Sequence, residues 1–303
     1  MNILGKYVSG ENKVTIYEDG TKIREKHGVK GAFPYVPENI DVKITNHCDM
    51  GCPSCFENST LKGQHGNIDK LVELYKNMPR GLEIAIGGGN PISHPGIMNA
   101  LDKLVDSGAI PNMTINQGHF EPYHDEIKHI IDAKMVYGVG VSINQNFDFE
   151  WVKKVFNENT IFHVIAGQDN IDILDKLAAE FGKIKVLVLG YKQFGRGLPI
   201  YNKLSKEIDK CIWQWSAYIQ RYFEKMQLSF DNLAITQLDI RRFFTPQGWD
   251  KFYMGDDGLY TMYLDLVEDK FAKSSTQNIR YGIENRSLYQ MIDHIRKVEQ
   301  NAN

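Results

Sequence analysis

Between residues 41 and 189, six short apolar runs alternate with amphipathic segments, and this alternation restricts the fold more than any other feature of the chain. The runs are Asp41–Thr45, Leu82–Ile86, Met113–Asn116, Val139–Asn144, Ile161–Ala166 and Lys185–Leu189. Ile184-Lys185-Val186-Leu187-Val188-Leu189 is rich in branched apolar residues, as expected of a strand covered on both faces. The intervening segments carry apolar residues at helical spacing: Ile68, Leu71, Val72 and Tyr75 after the first strand, Ile97, Leu101, Leu104 and Val105 after the second. Further helices are expected near 121–133, 148–157 and 171–181, and a long one over Lys203 to Lys225. Repeated βα units imply a parallel sheet, either open and doubly wound or curled into a partial barrel. In both arrangements, chemistry belongs at the C-terminal ends of the strands.

Unusual residues fall at those ends. Directly after the first strand comes His47-Cys48-Asp49-Met50-Gly51-Cys52-Pro53-Ser54-Cys55-Phe56, with the spacing Cys-x3-Cys-x2-Cys. The chain has four cysteines; three lie within eight positions and the fourth, Cys211, is far away. That distribution suits a thiolate site in a reducing compartment, not a disulfide scaffold. Structural zinc asks for four ligands, and no second Cys-x2-Cys or His-x3-His follows, which leaves Cys211 as a distant fourth ligand. Three thiolates on a four-iron cube leave one iron open to a further ligand. Cys211, beside Ile212, Trp213 and Trp215, reads as a small buried hydrophobe.

Bulk properties narrow the class. The formal net charge is −3, from 35 basic and 38 acidic residues, which argues against a general nucleic-acid binder. The N-terminus shows no signal-peptide core and no segment reads as a membrane helix, so a cytoplasmic protein is expected.

The cysteine loop after the first strand of six βα units resembles the signature of radical S-adenosylmethionine (SAM) enzymes. The resemblance covers about residues 38–225 and implies a partial (βα)6 TIM-like barrel. It also implies one [4Fe–4S] cluster on Cys48, Cys52 and Cys55, whose open iron takes the amino and carboxylate groups of SAM. In that family, reductive cleavage of SAM yields a 5′-deoxyadenosyl radical that abstracts hydrogen from the substrate. The electron comes from a donor such as flavodoxin or ferredoxin. Gly87-Gly88-Gly89-Asn90-Pro91 stands where the family holds the SAM amino group. Asn90 replaces the usual acid and offers a carbonyl oxygen without a negative charge. The family's aromatic residue before the third cysteine is Ser54 here, with Phe56 one place after it. By the same resemblance, Ser142 and Asn144 are candidates for the ribose or carboxylate, and Ile165, Leu189 and Tyr191 for the adenine.

Lys192 and Arg196 stand on a glycine-flanked loop after the sixth strand and are candidate anion binders, with Arg241 and Arg242 further along. Asp256 and Asp257 lie in a turn that lacks the alternating oxygen ligands of a calcium loop, and are kept as candidate substrate contacts. The substrate is open between a peptide side chain and a small metabolite or nucleotide. An N-terminal segment, 1–37, contains a hairpin over Val14–Arg24 turned by Asp19-Gly20. The barrel is assigned to 38–230 and a substrate-shaping α+β extension to 231–303. In that extension a strand is expected over Leu233–Leu238, a hairpin over Thr261–Ser275 and a helix over Ser287–Glu299. A second four-cysteine cluster is excluded by count. The alternative function is a metal-binding regulatory or scaffold protein, holding an iron–sulfur group or zinc, that catalyses nothing.

Overall fold

The computed structural model describes residues 2–30, 32–143 and 148–302 of the chain. Strands β1 (Ile3–Ser9), β2 (Asn12–Tyr17) and β3 (Lys22–Lys26) form an antiparallel sheet. The expected hairpin is β2–β3, turned at Gly20 with φ 83°. Strand β1 extends it, and Gly5 explains how the sheet docks. A Cβ there would stand 2.2 Å from the Cα of Gly81, so both residues must be glycine for the two backbones to touch. Glu38 takes ion pairs from Lys22 and Arg24 at the same junction.

The alternating region folds as read, except that the helix expected near 148–157 is a single turn. It runs β4 (Asn39–Thr45), α1 (Ile68–Tyr75), β5 (Glu83–Gly88), α2 (Ile97–Asp106), β6 (Ile110–Asn116), α3 (His124–Asp132), β7 (Gly138–Ser142), α4 (Glu150–Lys153), β8 (Thr160–Ile165), α5 (Ile173–Phe181), β9 (Lys185–Leu189) and α6 (Gly197–Tyr218). Strands β4 to β9 are parallel neighbours in strict sequence order. A doubly wound sheet reverses its order at a switch point, and this one does not. Crossovers of one hand that always advance the same way put the helices on one face, and the sheet curls away from them into a partial barrel.

The two faces differ. Ile40, Val42 and Ile44 of β4 are fully buried in one core with Leu71, Leu101, Leu104 and Ile127 of the helices. Many alternate residues of the barrel face inward and are half-buried, Asp41, Thr114, Ser142, His163, Ile165 and Leu189 among them, whereas Lys43 and Thr45 of β4 are buried. The lumen is therefore accessible and partly polar, which corrects the expectation of strands apolar on both faces.

Beyond Tyr218 come β10 (Gln227–Phe230), α7 (Asn232–Gln237), α8 (Pro246–Phe252), β11 (Thr261–Asp265), β12 (Lys270–Ala272), β13 (Tyr281–Gly282) and α9 (Leu288–Ala302). The long helix α6 starts earlier than expected and is interrupted at Leu204, where φ and ψ leave the helical region. Leu233–Leu238 is not a strand. Asp231 caps α7 by accepting from the Ala234 N–H at 2.7 Å, and that bond starts a helix. Strand β10, unforeseen, pairs in parallel with β9, while the β11–β12 hairpin joins the opposite edge through β4. The result is one ten-stranded sheet, ordered β10-β9-β8-β7-β6-β5-β4-β11-β12-β13.

Candidate metal and cofactor site

The three clustered cysteines occupy the loop from β4 to α1, at the C-terminal end of the strand. Backbone bonds fold that loop back on itself: Cys48 N–H to Thr60 O at 2.9 Å, Thr60 N–H to Asn46 O at 3.0 Å, Gly66 N–H to Ile44 O at 2.8 Å. Gly51 takes φ 62° between the first two cysteines and reverses the chain there. All three thiols are free and half-buried. Burial pushes the Cys48 and Cys52 thiols above their ordinary pKa, and neighbouring cysteines add to it. The thiolate forms need a bound cation nearby.

Two observations bear on which group fits. A zinc ion bound at about 2.3 Å brings its sulfurs to roughly 3.8 Å from one another. Among the described residues, the ligand atoms mutually within 4.8 Å belong to Cys48, Asp49 and His119, not to the three cysteines together. His119 Nε2 and Asp49 Oδ1 are 2.6 Å apart, so a hydrogen bond already accounts for two of that group. The wider thiol spacing suits a multi-iron cube better than a single ion.

The turn after β5 packs directly on this loop. Gly89 N–H donates to Thr45 O and Asn90 N–H to His47 O, both at 2.7 Å. A Cβ on Gly88 would lie 2.2 Å from Thr45 O, and one on Gly89 2.2 Å from His47 O. Around Gly87, by contrast, a Cβ would meet nothing within 4 Å, so a space stands open beside it. Asn90 is wholly buried, and neither its Oδ1 nor its Nδ2 has a hydrogen-bond partner. A buried amide left so costs about 1–3 kcal/mol, a cost that a bound ligand would relieve.

The segment after β9 clamps the cysteine loop from the other side. Arg196 donates from Nε and Nη2 to Cys52 O, at 3.1 and 3.0 Å, and from Nη1 to Ser59 O at 2.9 Å. Its N–H reaches Cys55 O at 3.0 Å. Gly195, with φ 51°, lies so close that a Cβ would be 2.4 Å from Phe56 O. Arg196, considered from sequence as an anion binder, therefore has its guanidinium engaged as a brace of the cysteine loop.

Beside the clamp is a niche lined by Ser54, Phe56, Ile165, Gln168, Leu189, Gly190, Tyr191 and Lys192. Four positions selected from three separate stretches of sequence — Phe56, Ile165, Leu189 and Tyr191 — thus line one niche. Ser54 donates to Gln168, and Gln237 holds the backbone of Tyr191 by accepting from its N–H at 2.8 Å and donating to its carbonyl at 3.0 Å. The Lys192 ammonium stands 3.8 Å over the Phe56 ring and 3.3 Å from Ser275 Oγ. Gln168, Gln237 and Ser275 escaped the sequence reading, because a single polar residue that acts through one distant partner carries no periodic signal.

The remaining candidates are spread out. Ser142 ends β7, in register with Asn116 of β6 and His163 of β8. Asn144 lies outside the described residues. Asp256 is bonded to Tyr253 and Asp257 to Asn232, at 2.7 Å for the latter, and neither lines the niche. Arg241 and Arg242 bond the carbonyls of Phe244 and Ser216. Cys211 packs on the core and donates to Asp169 O at 3.3 Å.

Solved structures share this architecture. SuiB from Streptococcus suis, in its crystal structure bound to S-adenosylmethionine, superposes with a TM-score of 0.63 over 97% of this chain and 89% of that one, at 12% identity. The fold is that of SuiB. A second SuiB structure gives 0.57 at 12% identity over 97% and 86% of the two chains. SuiB bound to the precursor peptide SuiA gives 0.56 at 13% identity, over 87% of this chain and 65% of that one. No family model matches the sequence, and no curated protein matches it.

Proposed function

We propose that this protein is a radical SAM enzyme acting on a peptide, with a [4Fe–4S] cluster on Cys48, Cys52 and Cys55. The observation that carries the reading is the joining of two sites by one segment. Residues 190–196 contribute to the niche through Gly190, Tyr191 and Lys192, and grip the cysteine loop through Gly195 and Arg196. A cluster and a nucleoside would be neighbours in such an arrangement, on a fold that in SuiB holds SAM. The peptide class is supported by the complex of SuiB with SuiA and by the accessible lumen.

When bound, the cluster supplies the electron that cleaves SAM, delivered from a donor of the flavodoxin or ferredoxin class. The chain's own residues bind, orient and exclude water. Gly87, Gly88 and Gly89 let the backbone approach the ligand, and Asn90 accepts from the SAM ammonium through Oδ1. Pro91 sets the turn that carries Asn90. Phe56, Ile165, Leu189 and Tyr191 would cover the adenine, and Ser142 would meet the ribose or carboxylate, a role the sequence also gives to Asn144. Lys192 meets an anionic group only by leaving Phe56 and Ser275. Residues 1–37 and 231–303 flank the barrel of 38–230, the latter shaping the substrate entrance with Asp256 and Asp257. No helix among the described residues is long and apolar enough to cross a membrane, and a cytoplasmic setting fits the free thiols.

Anaerobic reconstitution tests the reading. About four irons and four sulfides per chain are expected, lost when all three cysteines become alanine. Dithionite and SAM then yield 5′-deoxyadenosine. Zinc without iron and sulfide in the cysteine loop would sink the proposal. An intact cluster that never cleaves SAM, even with candidate peptides, would favour a regulatory or scaffold protein.

A further inference from the structure

Cys52, the middle of the three thiols, receives a donor that the radical SAM reading does not call for. Asn116, the last residue of β6, points its amide nitrogen at Cys52 Sγ from 3.7 Å. Which amide atom faces the sulfur is settled by the other end of the group. Asn116 Oδ1 accepts from the Gly118 N–H at 2.9 Å, so Oδ1 is committed to that donor and Nδ2 is turned to Cys52. The contact spans 64 residues and joins β6 to the cysteine loop. The Arg196 guanidinium holds the Cys52 carbonyl. Cys52 is thus approached by an N–H at its sulfur and by a positive charge at its backbone. For Cys48 and Cys55, no side-chain donor to sulfur appears among the hydrogen bonds of the described residues.

We infer that Asn116 is a positioning residue that tunes the reduction potential of the cluster through its hydrogen bond to Cys52 Sγ. The inference rests on the cluster proposed above. Its physical basis is general. A sulfur ligand gains negative charge when the cluster is reduced, and a donor aimed at that sulfur stabilises the reduced form and raises the potential. The Gly118 bond fixes the donor before the cluster arrives, so little reorganisation is needed.

The test uses the full-length protein reconstituted anaerobically, with the midpoint potential followed by electron paramagnetic resonance without SAM. Asn116→Asp keeps the shape and the Gly118 bond but puts an anion where the donor was, and Asn116→Leu removes the donor without adding a charge, together with the Gly118 bond. Both midpoints are expected below that of the wild type, Asp lowest, with iron content and far-ultraviolet circular dichroism unchanged. Wild-type midpoints in both variants, with full clusters, would overturn the inference and leave the enzyme reading standing. Loss of the cluster from both variants in a folded chain would overturn it too, making Asn116 a determinant of assembly. A wild-type protein that assembles no iron–sulfur cluster would remove the enzyme reading and this inference together.

Discussion

Asn90 combines complete burial with two unpartnered amide atoms. Folding without a ligand therefore bears a desolvation cost that an apolar residue of similar volume would avoid. Asn90→Leu should leave the melting temperature of the ligand-free protein unchanged or raise it. The same change should weaken SAM binding tenfold or more, about 1.4 kcal/mol. Thermal unfolding and equilibrium dialysis measure the two effects separately. A lower melting temperature with normal SAM affinity would make Asn90 a structural residue only. His163 faces the lumen from β8. Burial and the nearby Lys192 charge push its imidazole down to about 4, so it faces the lumen neutral at ordinary pH. It reads from sequence as a core histidine, yet it lies across Gly140, where a Cβ would meet its Cε1 at 2.5 Å.

At the scale of elements, the β9–α6 connection carries the design. It follows a parallel strand, as an active-site loop of a βα unit should. Its glycines have particular reasons: Gly190 packs against Leu233 and Ala234 of α7, and Gly195 against the cysteine loop. The planar fork of Arg196 bridges two carbonyls of that loop, which the single ammonium of lysine does not reproduce. Arg196→Ala should keep the fold but release iron several times faster from the reconstituted protein during anaerobic exchange against a chelator. Arg196→Lys should fall between the two. Equal release rates in all three proteins would show that the brace does not hold the loop.

At the scale of the whole molecule, the C-terminal extension is joined to the barrel by sheet pairing and by a buried ion network. Lys43 of β4 lies 3.0 Å from Glu57 of the cysteine loop and 3.2 Å from Asp265 of β11, and Arg280 reaches Asp265 at 3.3 Å. Burial opposes the Lys43 charge, but the two carboxylates outweigh it and hold its pKa above the ordinary lysine value. Lys43→Met removes the ammonium between two largely buried carboxylates. A loss of about 3–5 kcal/mol in unfolding free energy is expected from urea titration. A loss under 1 kcal/mol would mean that Arg280 alone compensates Asp265.

Local signals determined a great deal. Period and composition placed β4 to β9, and the Cys-x3-Cys-x2-Cys spacing located the loop at a strand end, because both depend on residues a few positions apart. The same reasoning misread 233–238, where one capping bond from Asp231 outweighed the strand propensity of Leu and Ile. What the tertiary structure alone decided is everything that depends on which distant segments meet. Strict strand order chose the partial barrel over the open sheet, and β10 and β11 found its two edges. Arg196 and Asn116 reached Cys52 across 144 and 64 residues. Side-chain periodicity reports which face of an element is apolar, but not which neighbour that face will meet.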